Sequence, residues 1–198
     1  TEMLEAENNP EDPSKGSRLM PFSKNLFIER DDFKEDANRK YFRLTLGKEV
    51  RLKNGYIIEG QSVIKDADGT ITEIHCAYDP DSKSGSGTEA SQRKVKGTIH
   101  WVNQETAVAA QVNLYDRLFS DESPDQHKDQ EYTDFINEDS LKQITAQVEP
   151  SLVNLTPGTN VQFQRLGYFV TDIDSTEDNL VFNKTVGLRD TWAKKANH

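Results

Sequence analysis

Apolar and polar residues alternate along much of the chain. In FRLTLGKEVRL, Leu44 and Leu46, then Val50 and Leu52, recur two apart with polar residues between them. That period of two predicts strands with one buried face. The clearest local signal lies in YIIEGQSVIKDADGTITEIHCAYD. Val63 and Ile64 precede Asp68-Gly69, and Ile71 and Ile74 follow. An Asp-Gly pair between such runs predicts a hairpin, because the turn needs positive φ. KVKGTIHWV, AVAAQVNLYDRLF, VQFQRLGYFVTD and LVFNKTVGLRDTW predict further strands. Helix signals are confined to FIERDDF and NEDSLKQI, the second with Asn137 as cap. Many short strands with polar turns predict an all-β fold, barrel or sandwich, with few short helices.

Two segments read as loops. DPDSKSGSGTEASQ, 79–92, is small, polar and glycine-rich, which predicts a flexible connection. SDESPDQHKDQEYTD, 120–134, is acidic and predicts a solvated surface loop.

The chain has 198 residues, 34% of them hydrophobic, enough for one or two domains with a real core. Its formal charge of −10 argues against a general nucleic-acid binder but leaves room for a local basic groove. RKYFRLTLGKEVRLK, 39–53, carries six basic residues and one acid, Glu49. QRKVKG adds Arg93, Lys94 and Lys96. A cationic stripe interleaved with Tyr41 and Phe42 suits an RNA strand, since cations meet phosphates and aromatics stack on bases. The bland alternative is a solvated strand face.

No apolar run is long enough to span a membrane, and TEMLEAENNPEDPSKGSR lacks the apolar core of a signal peptide. The single cysteine, Cys76, cannot form an internal disulfide, so a reducing, cytoplasmic setting is expected. The Asn154 and Asn183 glycosylation patterns are then chance matches.

Catalytic chemistry is sparse. His75, His100, His127 and His198 lack zinc-ligand spacing. His75 and Cys76 are strand neighbours and point to opposite faces. DPDSKSGSG faintly matches a calcium loop but lacks the third acidic position and the glycine and glutamate that complete it. Neither a phosphate-binding glycine loop nor a G-x-S-x-G elbow is present. The residues read as a binding module without a metal or cofactor.

VQFQRLGYF, Val161 to Phe169, reads as a strand carrying recognition groups. Gln162, Gln164 and Arg165 supply planar amides and a guanidinium.

LGKEVRLKNGYII, RKVKGTIHWV, LYDRLFS and VFNKTVGLRDTWAK together resemble the C-terminal anticodon-binding region of glutaminyl-tRNA synthetases of the bacterial and eukaryotic type. The resemblance runs in order from NNPEDPSKGSR to DTWAK. More distantly the chain looks like archaeal and eukaryotic glutamyl-tRNA synthetases. The resemblance implies two six-stranded β-barrels of the ribosomal-protein-like anticodon-binding type. A proximal barrel would comprise 1–38 plus 158–198, with a distal barrel, 39–157, inserted. An upstream strand present in the family would be missing, which implies an excised fragment with an exposed strand edge.

The family's catalytic domain, with HIGH- and KMSKS-like motifs, forms glutaminyl-adenylate from glutamine and ATP. Neither motif occurs here, so ATP and magnesium belong to a catalytic domain acting in cis. The implied partner is glutamine tRNA, bound by its anticodon loop to a monomer.

The resemblance also assigns residues. Gln162 and Arg165 match the F-Q-F-x-R motif that contacts the middle anticodon uridine. Residues three apart on a regular strand face opposite ways, so both reach one base only if the strand ends, bends or bulges between them. Arg43 matches the arginine for the third base, a guanosine, whose O6 and N7 suit a guanidinium fork. Arg51 and Lys53 match positions near the first base. Some members carry arginine where Lys53 stands, and lysine lacks the planar fork, which implies looser C/U discrimination. Lys40, Tyr41, Phe42, Arg93 and Lys94 are candidates for phosphate contact or stacking; some bacterial members carry lysine at Phe42. Phe182, Val186 and Trp192 are expected to pack the proximal barrel and its seat on the catalytic domain, and Trp101 to lie in a core, rather than to meet RNA. Two rival readings stay open: the same region of a glutamyl-tRNA synthetase, and a β-barrel protein-interaction module with no RNA role.

Overall fold

The computed structural model describes residues 1–188. These residues are nearly all β, as the alternation requires. They divide by contact into two compact units, Thr1–Thr106 and the chain from Ala107 on.

The first unit opens with the hairpin of β1 (Glu2–Glu7) and β2 (Ser17–Phe22). Next come β3 (Leu26–Ile28), β4 (Glu49–Leu52), β5 (Ile57–Lys65) and β6 (Ile71–Asp79). The short strands β7 (Thr98–Ile99) and β8 (Trp101–Asn103) close it. A four-stranded sheet runs β6-β5-β4-β7, while β3 pairs with β8. Their inward residues make one core, including Leu4, Ala6, Met20, Leu44, Val50, Leu52 and Trp101. Trp101 is buried, its Nε1 donating to the Lys53 carbonyl at 2.9 Å. Residues 1–38 thus pack with the segment around 44–101, whereas the expected grouping joins them to 158–198.

The Asp68-Gly69 hairpin forms between β5 and β6. Asp66 Oδ1 accepts from the Asp68 and Thr70 amides, and Gly69 takes φ 81°. At FIERDDF the structure has β3 followed by a 3-10 turn, Arg30–Asp32.

The second unit holds β9 (Val108–Tyr115), β10 (Leu141–Val148), β11 (Asn160–Phe163), β12 (Gly167–Thr171) and β13 (Leu180–Val186). They form one sheet in the order β10-β9-β13-β12-β11. Ala110, Val112, Val148, Phe169, Leu180 and Phe182 make its core.

Several expectations are corrected here. NEDSLKQI is a turn running into β10, because pairing with β9 across eight residues outweighs a short helical pattern. Asn137 serves the turn instead, accepting from the Asp139 amide and donating to the Arg117 carbonyl. Phe182 is fully buried as expected, while Val186 lies outside the core at 58% exposure. Trp192 lies outside the described residues. The acidic segment 120–134 has no buried residue, as expected of a surface loop, and is held at its edges by aromatic contacts, Phe119 edge-on to Tyr132 and His127 stacked on Phe135.

Candidate nucleic-acid interface

VQFQRLGYF is a hairpin rather than a continuous strand. β11 ends at Phe163 and β12 begins at Gly167, with the Leu166 amide donating to the Phe163 carbonyl at 2.9 Å. Phe163 anchors the turn by stacking on Phe169, with ring centroids 4.3 Å apart. Val161 and Phe163 face the core, so alternation sends Gln162 outward, where it is exposed. Arg165 is also exposed and takes φ 69°, a left-handed conformation that few non-glycine residues adopt. The strand therefore ends between Gln162 and Arg165.

Tyr168 lies directly across from Gln162 in the register and is 46% exposed. Sequence reading passed over it. An aromatic in the pattern of a barrel strand looks like core, and only the turn at Arg165 fixes its register with Gln162.

The second cluster lies in the first unit. Arg43 donates from Nη1 to Asp32 Oδ1 at 2.8 Å and to the Asp31 carbonyl at 3.3 Å. Asp32 is buried, and its 3-10 turn sets the guanidinium. Tyr41 donates its hydroxyl to the same Asp31 carbonyl at 2.9 Å, and Lys34 sits 5.3 Å from its ring centre. Phe42 is half exposed, with Lys96 Nζ 5.6 Å from its ring centre. Gly97 permits this: a Cβ there would lie 2.4 Å from the Phe42 carbonyl oxygen. Lys40 and Lys94 are exposed. Arg93 is paired with Glu49 at 2.8 Å and Asp79 at 3.0 Å, and the Asp79 bond chiefly holds its charged form.

Arg51 and Lys53 differ in use. Arg51 Nη1 donates to the Ser82 carbonyl at 2.9 Å and to Ser84 Oγ at 3.2 Å. Its Nη2 donates to the carbonyls of Ser91 at 2.9 Å and Arg93 at 3.3 Å. Lys53 sits in the turn after β4, half-buried, beside Asn54 at φ 59°. The loop between β6 and β7, expected to be flexible, is held by hydrogen bonds across 81–93. It holds a 3-10 turn, Pro80–Ser82, and a single helical turn α1, Glu89–Gln92, capped by Thr88.

Residues 1–79 and 98–172 each match a family described as tRNA synthetases class I (E and Q), anti-codon binding domain. The chain belongs to that family. It is 55% identical over 194 residues to a glutamine–tRNA ligase of Rhodopirellula baltica, covering 98% of this chain and 32% of that protein. Against the glutamine–tRNA ligase of Vibrio parahaemolyticus it is 51% identical over 197 residues, 99% of this chain and 35% of the relative. For the Nitrobacter hamburgensis enzyme the identity is 45% over 196 residues, 99% and 34%. The chain thus spans about a third of the length of the relatives it matches. Each of the two units carries an exposed cluster of polar, cationic and aromatic side chains. Among the described residues, no helix is long and apolar enough to cross a membrane.

Proposed function

We propose that this chain is the anticodon-binding region of a glutamine–tRNA ligase and reads the anticodon loop of glutamine tRNA. The observation that carries the site reading is the turn at Arg165. It ends the strand after Phe163, which is the condition for Gln162 and Arg165 to serve one base. The amide of Gln162 both donates and accepts, as a uracil edge requires. Tyr168 beside it offers a ring on which that base can stack.

In the other unit, Arg43 addresses the third base. Its Nη1 is held by Asp32, which leaves the Nε and Nη2 edge as the fork for guanine O6 and N7. Lys53 addresses the first base with a point charge. Lys40, Lys94 and Phe42 supply phosphate contact and stacking. Arg93 is braced by Glu49 and Asp79, which offset its charge. The acidic surface elsewhere repels RNA that lacks the matching loop. Attachment of glutamine with ATP and magnesium belongs to the catalytic part of the parent enzyme, in the cytoplasm.

The family description covers both E and Q enzymes, so a glutamyl-tRNA ligase is the second reading. Likeness to proteins named glutamine–tRNA ligase at about half identity favours the first. Competition binding separates them. Glutamine tRNA should displace a labelled glutamine-tRNA stem-loop at least tenfold better than glutamate tRNA, whose third base differs. Arg43→Ala should erase that margin. Equal competition by both tRNAs would overturn the reading.

A further inference from the structure

Arg51 stands on β4 two residues before Lys53, and the resemblance gives both the same task. Their surroundings differ. A guanidinium has four η hydrogens, and all four of Arg51 are directed at acceptors of the β6–β7 loop: Ser82 O, Ser84 Oγ, Ser91 O and Arg93 O. Bidentate recognition of a base edge needs two parallel N–H groups, at least one of them from an η nitrogen. In this arrangement none remains. We propose that Arg51 is a positioning residue: it clamps the 82–93 loop to β4 and leaves the first anticodon base to Lys53. The proposal rests on the anticodon reading above.

The clamp acts on both ends of the loop. Ser82 is buried, accepts from the Ile57 amide at 2.7 Å and donates to the Asp79 carbonyl at 2.6 Å. Ser84 donates from its hydroxyl to the Gly55 carbonyl at 2.8 Å. Ser91 and Arg93 lie at the far end, just before Lys94 and Lys96. Drawing that end onto β4 fixes where the cationic run leaves the loop. It also keeps Gly97 against the Phe42 backbone, where the Arg51 amide donates to the Gly97 carbonyl at 2.9 Å. The four acceptors are carbonyls and one hydroxyl, all neutral, so they order the guanidinium without cancelling its charge. Arg51 thus shapes the phosphate-facing surface and adds to its field while touching no base.

The test uses the whole 198-residue chain. Arg51→Lys keeps the charge and removes the fork. Amide hydrogen exchange without RNA should speed up about tenfold or more across 84–93, with exchange in β9–β13 unchanged. Binding of two anticodon stem-loops, with C or U as first base, should weaken by one common factor, leaving the C/U ratio as in the unaltered chain. Should Arg51→Lys unfold the first unit, Ser84→Ala removes one acceptor and should show the same pattern more weakly. Unchanged loop exchange, or an altered C/U ratio, would overturn the proposal. If the unaltered chain binds neither stem-loop, the anticodon reading fails, and the exchange result still decides whether Arg51 is the clamp.

Discussion

Gln162 and Tyr168 face each other directly across the β11–β12 hairpin, on the face turned away from the core. Base–aromatic stacking is worth about 1–3 kcal/mol per base. Tyr168→Ala should therefore weaken binding of a glutamine-tRNA stem-loop by roughly five- to a hundredfold. Tyr168→Phe, which keeps the ring, should bind within about twofold of the unaltered chain. Anisotropy titrations of both variants read this directly, and equal losses would assign the effect to the hydroxyl.

Arg165 holds a backbone conformation, φ 69°, that costs a side-chain-bearing residue about 1–2 kcal/mol relative to glycine. Such strain concentrates at functional positions. Arg165→Gly should raise the urea midpoint, by about 1 kcal/mol of stability, while weakening stem-loop binding. A variant that gains stability and loses affinity marks the residue as kept for its guanidinium.

Asp32 sets Arg43 through a buried carboxylate. A hydrogen bond to a charged group contributes about 1.5–3 kcal/mol, reduced here because Arg43 is partly exposed. Asp32→Asn should lower stability by about 1–2 kcal/mol in urea unfolding and reduce the preference for guanosine as third base. The same substitution made in an Arg43→Ala background should cost less, which a double-mutant cycle measures.

Tyr56 donates its hydroxyl to Glu2 at 2.6 Å, and Lys83 donates to the other Glu2 oxygen at 2.5 Å. The Glu2 bond, followed by burial, pushes the Tyr56 phenol up from 10.0 to about 12. A raised acid pKa stabilises the folded state below the unfolded value and loses that contribution as pH rises through the folded one. Stability should therefore fall between about pH 10 and 12 as Tyr56 ionises. The Lys83 bond, followed by the Tyr56 bond, lowers Glu2 below 4.5, so its contribution is present above that pH and fades on acidification. In an ultraviolet titration, one of the six tyrosines should ionise late, and Glu2→Gln should bring it back toward 10.

The fold was legible where the chemistry is local. Asp68-Gly69 marked its hairpin because the turn demands positive φ, and alternation placed Val50 and Leu52 in the core. The turn at Arg165 was hidden because arginine is no turn former, and Gly167 arrives only after it. Leu141 and Ile144 stand three apart, a spacing that suits a helix; pairing with β9 decided the matter. Loop 79–92 read as flexible from its own glycines and serines. The bonds that hold it come from Arg51, 31 to 42 residues away in the chain. The basic stripe was visible, but Asp32 and Asp79, which brace Arg43 and Arg93, come from outside it; Glu49, the other partner of Arg93, is the one acid within it. Gln162 and Arg165 stood out as planar groups in a strand, but only the resemblance proposed a base for each, since no spacing rule assigns an exposed glutamine to a ligand.

On the proposed function, the β11–β12 hairpin reads the middle anticodon base. Fluorescence anisotropy of this chain with a labelled glutamine-tRNA stem-loop tests it most directly, comparing the native loop with one whose middle uridine is replaced by cytidine, across a salt series. Binding to the altered loop should be at least about tenfold weaker, with both affinities falling at the same slope as salt rises, because phosphate contacts are shared and the base contact is not. Equal affinity for the two loops at every salt concentration would contradict that reading.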